Sequence, residues 1–184
     1  MKTADHAQIV TFRLGDDHFA ADIFAVERVL RYQSPTSVPN VPSWIEGVID
    51  YQGRVVPVIN LRARFEMERA PVANETRILV FNTGTDFVAA TVDAVVEVAP
   101  LAQSQVAPPP PLFRGLAGEY LRGVVRRNDR LIIFLDVARL LSTSERLSLE
   151  EARAGDADAP APAVVSADDA VLPSSLPGAM AGRE

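Results

Sequence analysis

One plan is written twice in this chain, and that duplication limits its fold more than any other feature. The stretch GVIDYQGRVVPVINLRARF, Gly47 to Phe65, returns as GVVRRNDRLIIFLDVARLL, Gly123 to Leu141, at a constant offset of 76. Gly47 falls on Gly123, Val48 on Val124, Arg54 on Arg130, Asn60 on Asp136 and Leu61 on Val137. Upstream, FRLGDDHFAADIFAVERV from Phe12 to Val29 lines up with FNTGTDFVAATVDAVVEV from Phe81 to Val98 at an offset of 69. The offset grows by 76 − 69 = 7 because the middle connections differ in length. Two copies predict a pair of like units.

Each unit reads as short strands separated by turn residues. Ile9 to Leu14 and His18 to Asp22 form a hairpin about Gly15-Asp16-Asp17, and Ile23 to Tyr32 reads as a helical turn followed by a strand. Prolines at 35, 39 and 42 keep the next connection extended. Ser43 and Glu46 have capping-box spacing and predict one helical turn around Trp44, itself read as a core anchor. The central hairpin follows, Val48 to Tyr51 and Val55 to Ile59, and Asn60 starts a short helix to Met67. Arg77 to Asn82, Phe87 to Thr91 and Val92 to Val98 repeat the opening elements. Pro108 to Pro111 form a polyproline spacer. Leu121 to Val125 and Leu131 to Leu135 repeat the central hairpin, and Val137 to Ser142 the helix. Even strand spacing with Gly and Asp turns predicts two small β-barrels.

Composition narrows the chemistry. Hydrophobic residues make up 48% of the 184, enough for a real core, and the net charge of −6 gives no global attraction to nucleic acid or anionic lipid. With no cysteine, thiol chemistry and disulfides are excluded. The leader lacks a signal-peptide core and no run reaches the ~20 apolar residues of a membrane span, so direct membrane contact is not expected and a cytoplasmic location fits. His6 and His18 are too few and too scattered for a base–nucleophile pair or a metal cluster, and no phosphate-cradling glycine motif occurs. Neither catalysis, cofactor nor metal is expected. Nucleic-acid binding would need stacking aromatics interleaved with basic residues. Most of the aromatics fall on repeat-matched apolar positions such as Phe12 and Phe81, which read as core sites, and the basic group Arg122, Arg126, Arg127 and Arg130 reads first as a solvated strand face, then as a site for an acidic protein. What remains is a surface: exposed valines lining a groove between two barrels, suited to a partner helix.

Val38 to Arg62 carries V-P-x-x-P-x-W-I-x-G followed by G-V-I-x-x-x-G-x-V-V-P-V-I-N-L-R, and Val92 to Val98 carries V-D-x-V-x-x-V. In order and spacing these motifs resemble the CheW family of bacterial chemotaxis adaptors over about Gln8 to Leu149. The resemblance implies a mainly β fold of two SH3-like five-stranded barrels, intertwined and sharing a core, over 8–149. A flexible leader (1–7) precedes it, and a disordered Ala/Pro/Asp-rich tail (150–184) follows. It implies a non-enzymatic adaptor that couples the cytoplasmic tips of methyl-accepting receptors to the regulatory domain of the histidine kinase CheA, and so is recruited to the inner face of the membrane by receptors. A structural array component that does not transmit signal is the alternative, and a nucleic-acid-binding double barrel a distant third. Carried over by alignment, the receptor-facing groove involves Val26, Arg28, Gly47, Val95 and Val98, with Arg77 near its rim. Kinase contacts come from barrel ends, including Tyr51-Gln52-Gly53. Two departures stand out: Gln52 replaces a characteristic arginine and Arg28 a common glutamate, so an acid–base pair has changed on both sides.

Overall fold

The computed structural model describes residues 6–110, 116–141 and 163–164. In chain order the strands are β1 (His6–Leu14), β2 (Asp17–Asp22), β3 (Val26–Arg31), β4 (Ile45–Tyr51), β5 (Arg54–Asn60), β6 (Arg77–Asn82), β7 (Phe87–Val92), β8 (Ala94–Ala102), β9 (Val106–Ala107), β10 (Leu121–Arg127), β11 (Arg130–Leu135) and β12 (Ala163–Val164). Two short helices, α1 (Leu61–Arg64) and α2 (Leu116–Glu119), and 3-10 turns at Ile23–Ala25, Gln103–Gln105 and Val137–Arg139 complete the described elements.

The two halves of the sequence do not fold side by side. One sheet runs β8-β1-β2-β11-β10-β9 and the other β12-β4-β5-β7-β6-β3. Each therefore mixes strands from both repeats, joined by parallel pairing of β2 with β11 and of β5 with β7. Each sheet closes into a barrel through one bent segment that pairs with both of its edges. In barrel A, β8 pairs with β1, bends through Gln103–Gln105, and returns as β9 against β10. In barrel B, β3 pairs with β6 and then runs on to Thr36, which exchanges two backbone hydrogen bonds with Val48 of β4, at 2.9 and 2.8 Å.

Interleaving creates strands with two dry faces. Along β6, Ile78 and Val80 point into barrel B while Leu79 and Phe81 point into a cluster between the barrels. In β2, Phe19 and Ala21 join the same central cluster and Ala20 the interior of barrel A. Because side chains alternate faces, such a strand must be apolar at every position, and the runs ILVF and FAA are what that demands. Phe12 and Phe81, repeat mates, sit fully buried in the central cluster, and Phe12, Phe19 and Phe65 stack in series at 5.9 and 5.5 Å.

Some sequence expectations change. Ser43 and Glu46 do not cap a helix; the chain is already extended from Ile45, and the Glu46 carboxylate instead accepts Tyr32 Oη–H and Thr91 Oγ1–H, each at 2.6 Å. Burial, then that carboxylate, pushes the Tyr32 phenol up to about 12. Trp44 is half-buried against the central cluster, and its pseudo-symmetric partner is Tyr120. Their carbonyls accept matching bonds from Asn60 N–H and Asp136 N–H, at 2.8 and 2.7 Å, and the Arg64 guanidinium lies over both rings, 3.8 and 4.7 Å from their centroids. Asn60 does cap α1, accepting from Ala63 N–H at 3.1 Å, but the helix ends at Arg64 rather than Met67. Pro108 to Pro110 carry no regular element. Pro111, Ser142, the leader 1–5 and all of 150–184 except β12 lie outside the described residues.

Gly47 shows how tightly closure constrains sequence. It sits at φ +150°, and a Cβ there would lie 2.3 Å from Thr36 O; its repeat mate Gly123 would meet Ala107 O at 2.6 Å. Both glycines therefore lie beneath the segment that closes their barrel. Gly47→Ala should push Thr36 off β4 and destabilise the fold by roughly 2 kcal/mol, read as a lower urea midpoint. An unchanged midpoint would show that the closing segment yields freely.

Candidate interaction surface

Four of the antiparallel pairings carry a bulge, and the bulges come in repeat-matched pairs. Register slips at Glu27 in β3 and at Val96 in β8, an offset of 69, and at Glu46 in β4 and Arg122 in β10, an offset of 76. A bulge adds a residue and turns local side chains outward. In β8 the result is an exposed apolar run: Val96 is 44% and Val98 40% exposed, on either side of exposed Glu97. The equivalent run in β3 is different, because Glu27 stands for Val96 and Val29, the mate of Val98, is buried in the central cluster.

The predicted groove residues separate accordingly. Val26 and Val95 are symmetry mates, both half-buried and packed against the central cluster from the starts of β3 and β8. Val98 faces solvent on β8, opposite Val10. Gly47 is buried under Pro35 and Thr36, so it admits the closing segment rather than presenting a surface. Arg77 is not at the Val26 end of β3: it pairs with Arg31, five residues along and so about 16 Å away, and donates to Asn74 O and Thr76 O. Arg28 is half-buried opposite Val80 and has no hydrogen-bond or ion-pair partner among the described residues.

At the other predicted contact, Tyr51 is 3% exposed, filling barrel B with its ring edge-on to Phe87 at 5.5 Å. Gln52 and Gly53 alone offer surface. They form the tight turn at φ 55° and 74°, held by Gly53 N–H donating to Asp50 Oδ1 at 3.0 Å, while Gln52 Nε2 donates to Tyr51 Oη at 3.3 Å. Of the basic group, Arg122 pairs with Asp22 and Arg127 with Glu97, both at 3.6 Å, and Arg130 lies 3.3 Å from His18 Nε2. Arg122, Arg126 and Arg130 are exposed, and Arg127 is half-buried.

Sequence reading missed the contact that ties the barrels at their edge. Arg62 of α1 donates Nε–H to Asp93 Oδ1 at 2.9 Å and Nη2–H to Oδ2 at 2.5 Å, a two-pronged pair, and Gly15 N–H reaches Oδ2 at 2.6 Å. Arg62 belongs to barrel B, Gly15 to the β1–β2 turn of barrel A, and Asp93 to the crossing from β7 to β8. Pseudo-symmetry maps Gly15, Arg62 and Asp93 onto Gly84, Ala138 and Phe24. All three mates line an open cleft of about 330 Å³, and Phe24 is 88% exposed there. One side of the duplication is latched, and the other is open.

This architecture can be set beside known proteins. The CheW-like domain model matches residues 8–145. The chain belongs to the CheW family. It is 30% identical over 142 residues to the chemotaxis protein CheW of Treponema pallidum, covering 75% of this chain and 84% of that one. It is 33% identical over 138 residues to the chemotaxis protein CheW of Klebsiella aerogenes, covering 75% and 83%. The crystal structure of scaffolding protein TtCheW from Thermoanaerobacter tengcongensis superposes with a TM-score of 0.70 at 30% identity, over 76% of this chain and 95% of that one. In CheW terms the latch joins the two signature motifs, since Arg62 closes N-L-R and Asp93 opens D-x-V. The family match stops at 145, well short of β12.

The latch sets a pH signature. Burial alone would raise the Asp93 carboxyl, but the Arg62 hydrogen bonds, the Gly15 N–H and the charges of Arg62 and Arg13 outweigh it and hold the group below the usual carboxylate range. A group lowered on folding contributes stability above its unfolded value, near ~3.9, and loses it as pH falls through the folded value. Asp93→Asn should therefore cost about 2 kcal/mol at pH 7, with the gap to wild type narrowing as pH drops below about 4. Urea unfolding at pH 7 and pH 3 checks this, and an equal gap at both would remove the latch from the stability of the fold.

Proposed function

We propose that this CheW-family chain is a non-enzymatic chemosensory adaptor, coupling methyl-accepting receptors to the histidine kinase CheA. The observation that carries the reading is the exposed valine run on β8, beside half-buried Val26 and Val95 at the edge of the central cluster. Apolar area held on a strand whose other face is core is suited to an amphipathic partner helix, because the surface is already ordered before binding. Val26, Val95 and Val98 are the receptor-facing residues of this reading, extended by Val96; Arg28 sits beyond Val26 as a charged selector. The Gln52-Gly53 turn, at the end of barrel B, is the kinase contact. Among the described residues no helix is long and apolar enough to cross a membrane, and the reading places the protein in the cytoplasm, brought to the membrane by receptors.

Reconstitution separates the coupler from its nearest rival. Adding the chain to receptor–CheA mixtures from the same organism should raise kinase autophosphorylation and make it ligand-responsive. Co-sedimentation without any change in kinase activity would identify a structural array component instead. Val98→Asp should weaken receptor binding about tenfold while leaving the urea midpoint in place, because the side chain is exposed and bears little of the core. Binding equal to wild type would take β8 out of the interface. If Gln52 and Arg28 are a joint specificity change, Gln52→Arg alone should lower ligand-dependent kinase control severalfold, through like charge added beside Arg28 in the assembled complex; unchanged control would make the two departures independent.

A further inference from the structure

The two barrels close their outer edges unequally. In barrel A the closing segment covers β10 at two consecutive residues, Ala107 on Val124 and Val106 on Val125. In barrel B it covers β4 at one, Thr36 on Val48. Val48 and Val124 are repeat mates, so Thr36 stands where Ala107 stands and Pro35 where Val106 stands. Thr36 on Val48 is an isolated bridge, and no further residue of that segment pairs along β4 among those described. The backbone groups of Val48 face this edge, as its bonds to Thr36 show, and by the period of two those of Asp50 face it as well. An open edge of this kind is a template for another strand.

The chain supplies one. Ala163 pairs with Ile49 and Val164 with Asp50, in parallel, beginning where Pro35 leaves off. The sequence around that point suits the role. Val164-Val165 is the one pair of adjacent β-branched residues between 150 and 184, a composition suited to a strand. We propose that Ala163–Val164 is an intramolecular plug: the β4 edge is a strand-docking site whose resident occupant is the chain's own C-terminal segment. It lies immediately before the Tyr51-Gln52-Gly53 turn, so the plug masks a stretch of main chain at the tip of barrel B. A partner that adds a strand to this barrel must displace it.

Amide hydrogen exchange on the full-length chain tests the plug directly, because the Asp50 N–H reports on the edge. In the parallel register Ala163 turns its N–H and C=O toward β4, so Ala163→Pro removes the N–H that faces the edge and should speed exchange at Asp50 by about tenfold or more, with the interior amides of β5 unaltered. Val171→Pro, a proline outside the paired segment, should leave Asp50 as in wild type. A synthetic peptide spanning residues 160–166, added to the Ala163→Pro protein, should slow Asp50 exchange again. Equal Asp50 exchange in wild type and Ala163→Pro overturns the proposal, as does an equal acceleration by Val171→Pro. Failure of the peptide to restore protection overturns the edge as a docking site.

Discussion

The fold rests on strands buried on both faces. Nineteen buried residues among those described form the cluster between the barrels, against eight inside barrel B and seven inside barrel A. A barrel interior of seven or eight mostly medium-sized side chains is small for independent stability, since little of such a unit's surface is removed from water. The central cluster holds Phe12, Phe19 and Phe81, each contributing roughly 2–3 kcal/mol of burial. Strand exchange is what places them there. Because β6 and β7 of the second repeat complete barrel B, and β1 and β2 of the first complete barrel A, neither barrel exists without the other half of the chain.

Duplication explains the shared plan, and its departures from symmetry explain where the surfaces lie. The same backbone position carries Asp93 in one copy and Phe24 in the other. The carboxylate finds Arg62 and a turn amide and closes its side; the phenyl ring faces Ala138 across an open cleft and stays in water. The bulge position carries Val96 in β8 and Glu27 in β3, so of these two strands β8 exposes valines there. Barrel B closes on β4 through one residue where barrel A closes on β10 through two. Each asymmetry is a local departure from the shared plan.

Much of this was legible in the sequence, because repeat offsets and turn chemistry are local. Gly15, the Gln52-Gly53 turn, the Asn60 cap and the 3-10 turn before β3 all followed from short-range pattern. The errors have one physical source, tertiary competition for a local signal. Ser43 and Glu46 have capping-box spacing, yet Glu46 is drawn into the Tyr32 and Thr91 bonds while the Trp44 carbonyl joins the Asn60 amide, and extended chain wins. Val29 and Val98 look alike by repeat, but one is covered by the central cluster and the other is not. The Arg62–Asp93 latch was invisible for a related reason: its partners are 31 residues apart and their repeat mates, Ala138 and Phe24, have no charge to betray the pairing. Both stood within motifs whose order and spacing had already signalled the family. Strand exchange itself leaves only one trace, the unbroken apolar runs of β2 and β6, which an alternating one-sided strand would not carry.

A coupler built this way works by position. Close-packed protein interiors resist continuous deformation, so in the proposed reading a contact on β8 would be carried as displacement of a rigid body rather than absorbed locally. Asp93 matters to that behaviour, because it sits where β7 of barrel B becomes β8 of barrel A. The latch fixes the root of the strand that bears Val95, Val96 and Val98, and ties it to α1 of the opposite barrel. In the proposed reading, a partner helix on those valines would press on both barrels at once. Loss of the latch would free β8 to rotate about its pairing with β1 while the barrels stayed packed, separating binding from transmission. Coupling of the proposed kind would rest on a surface on one barrel, a surface on the other, and a joint between them that does not bend.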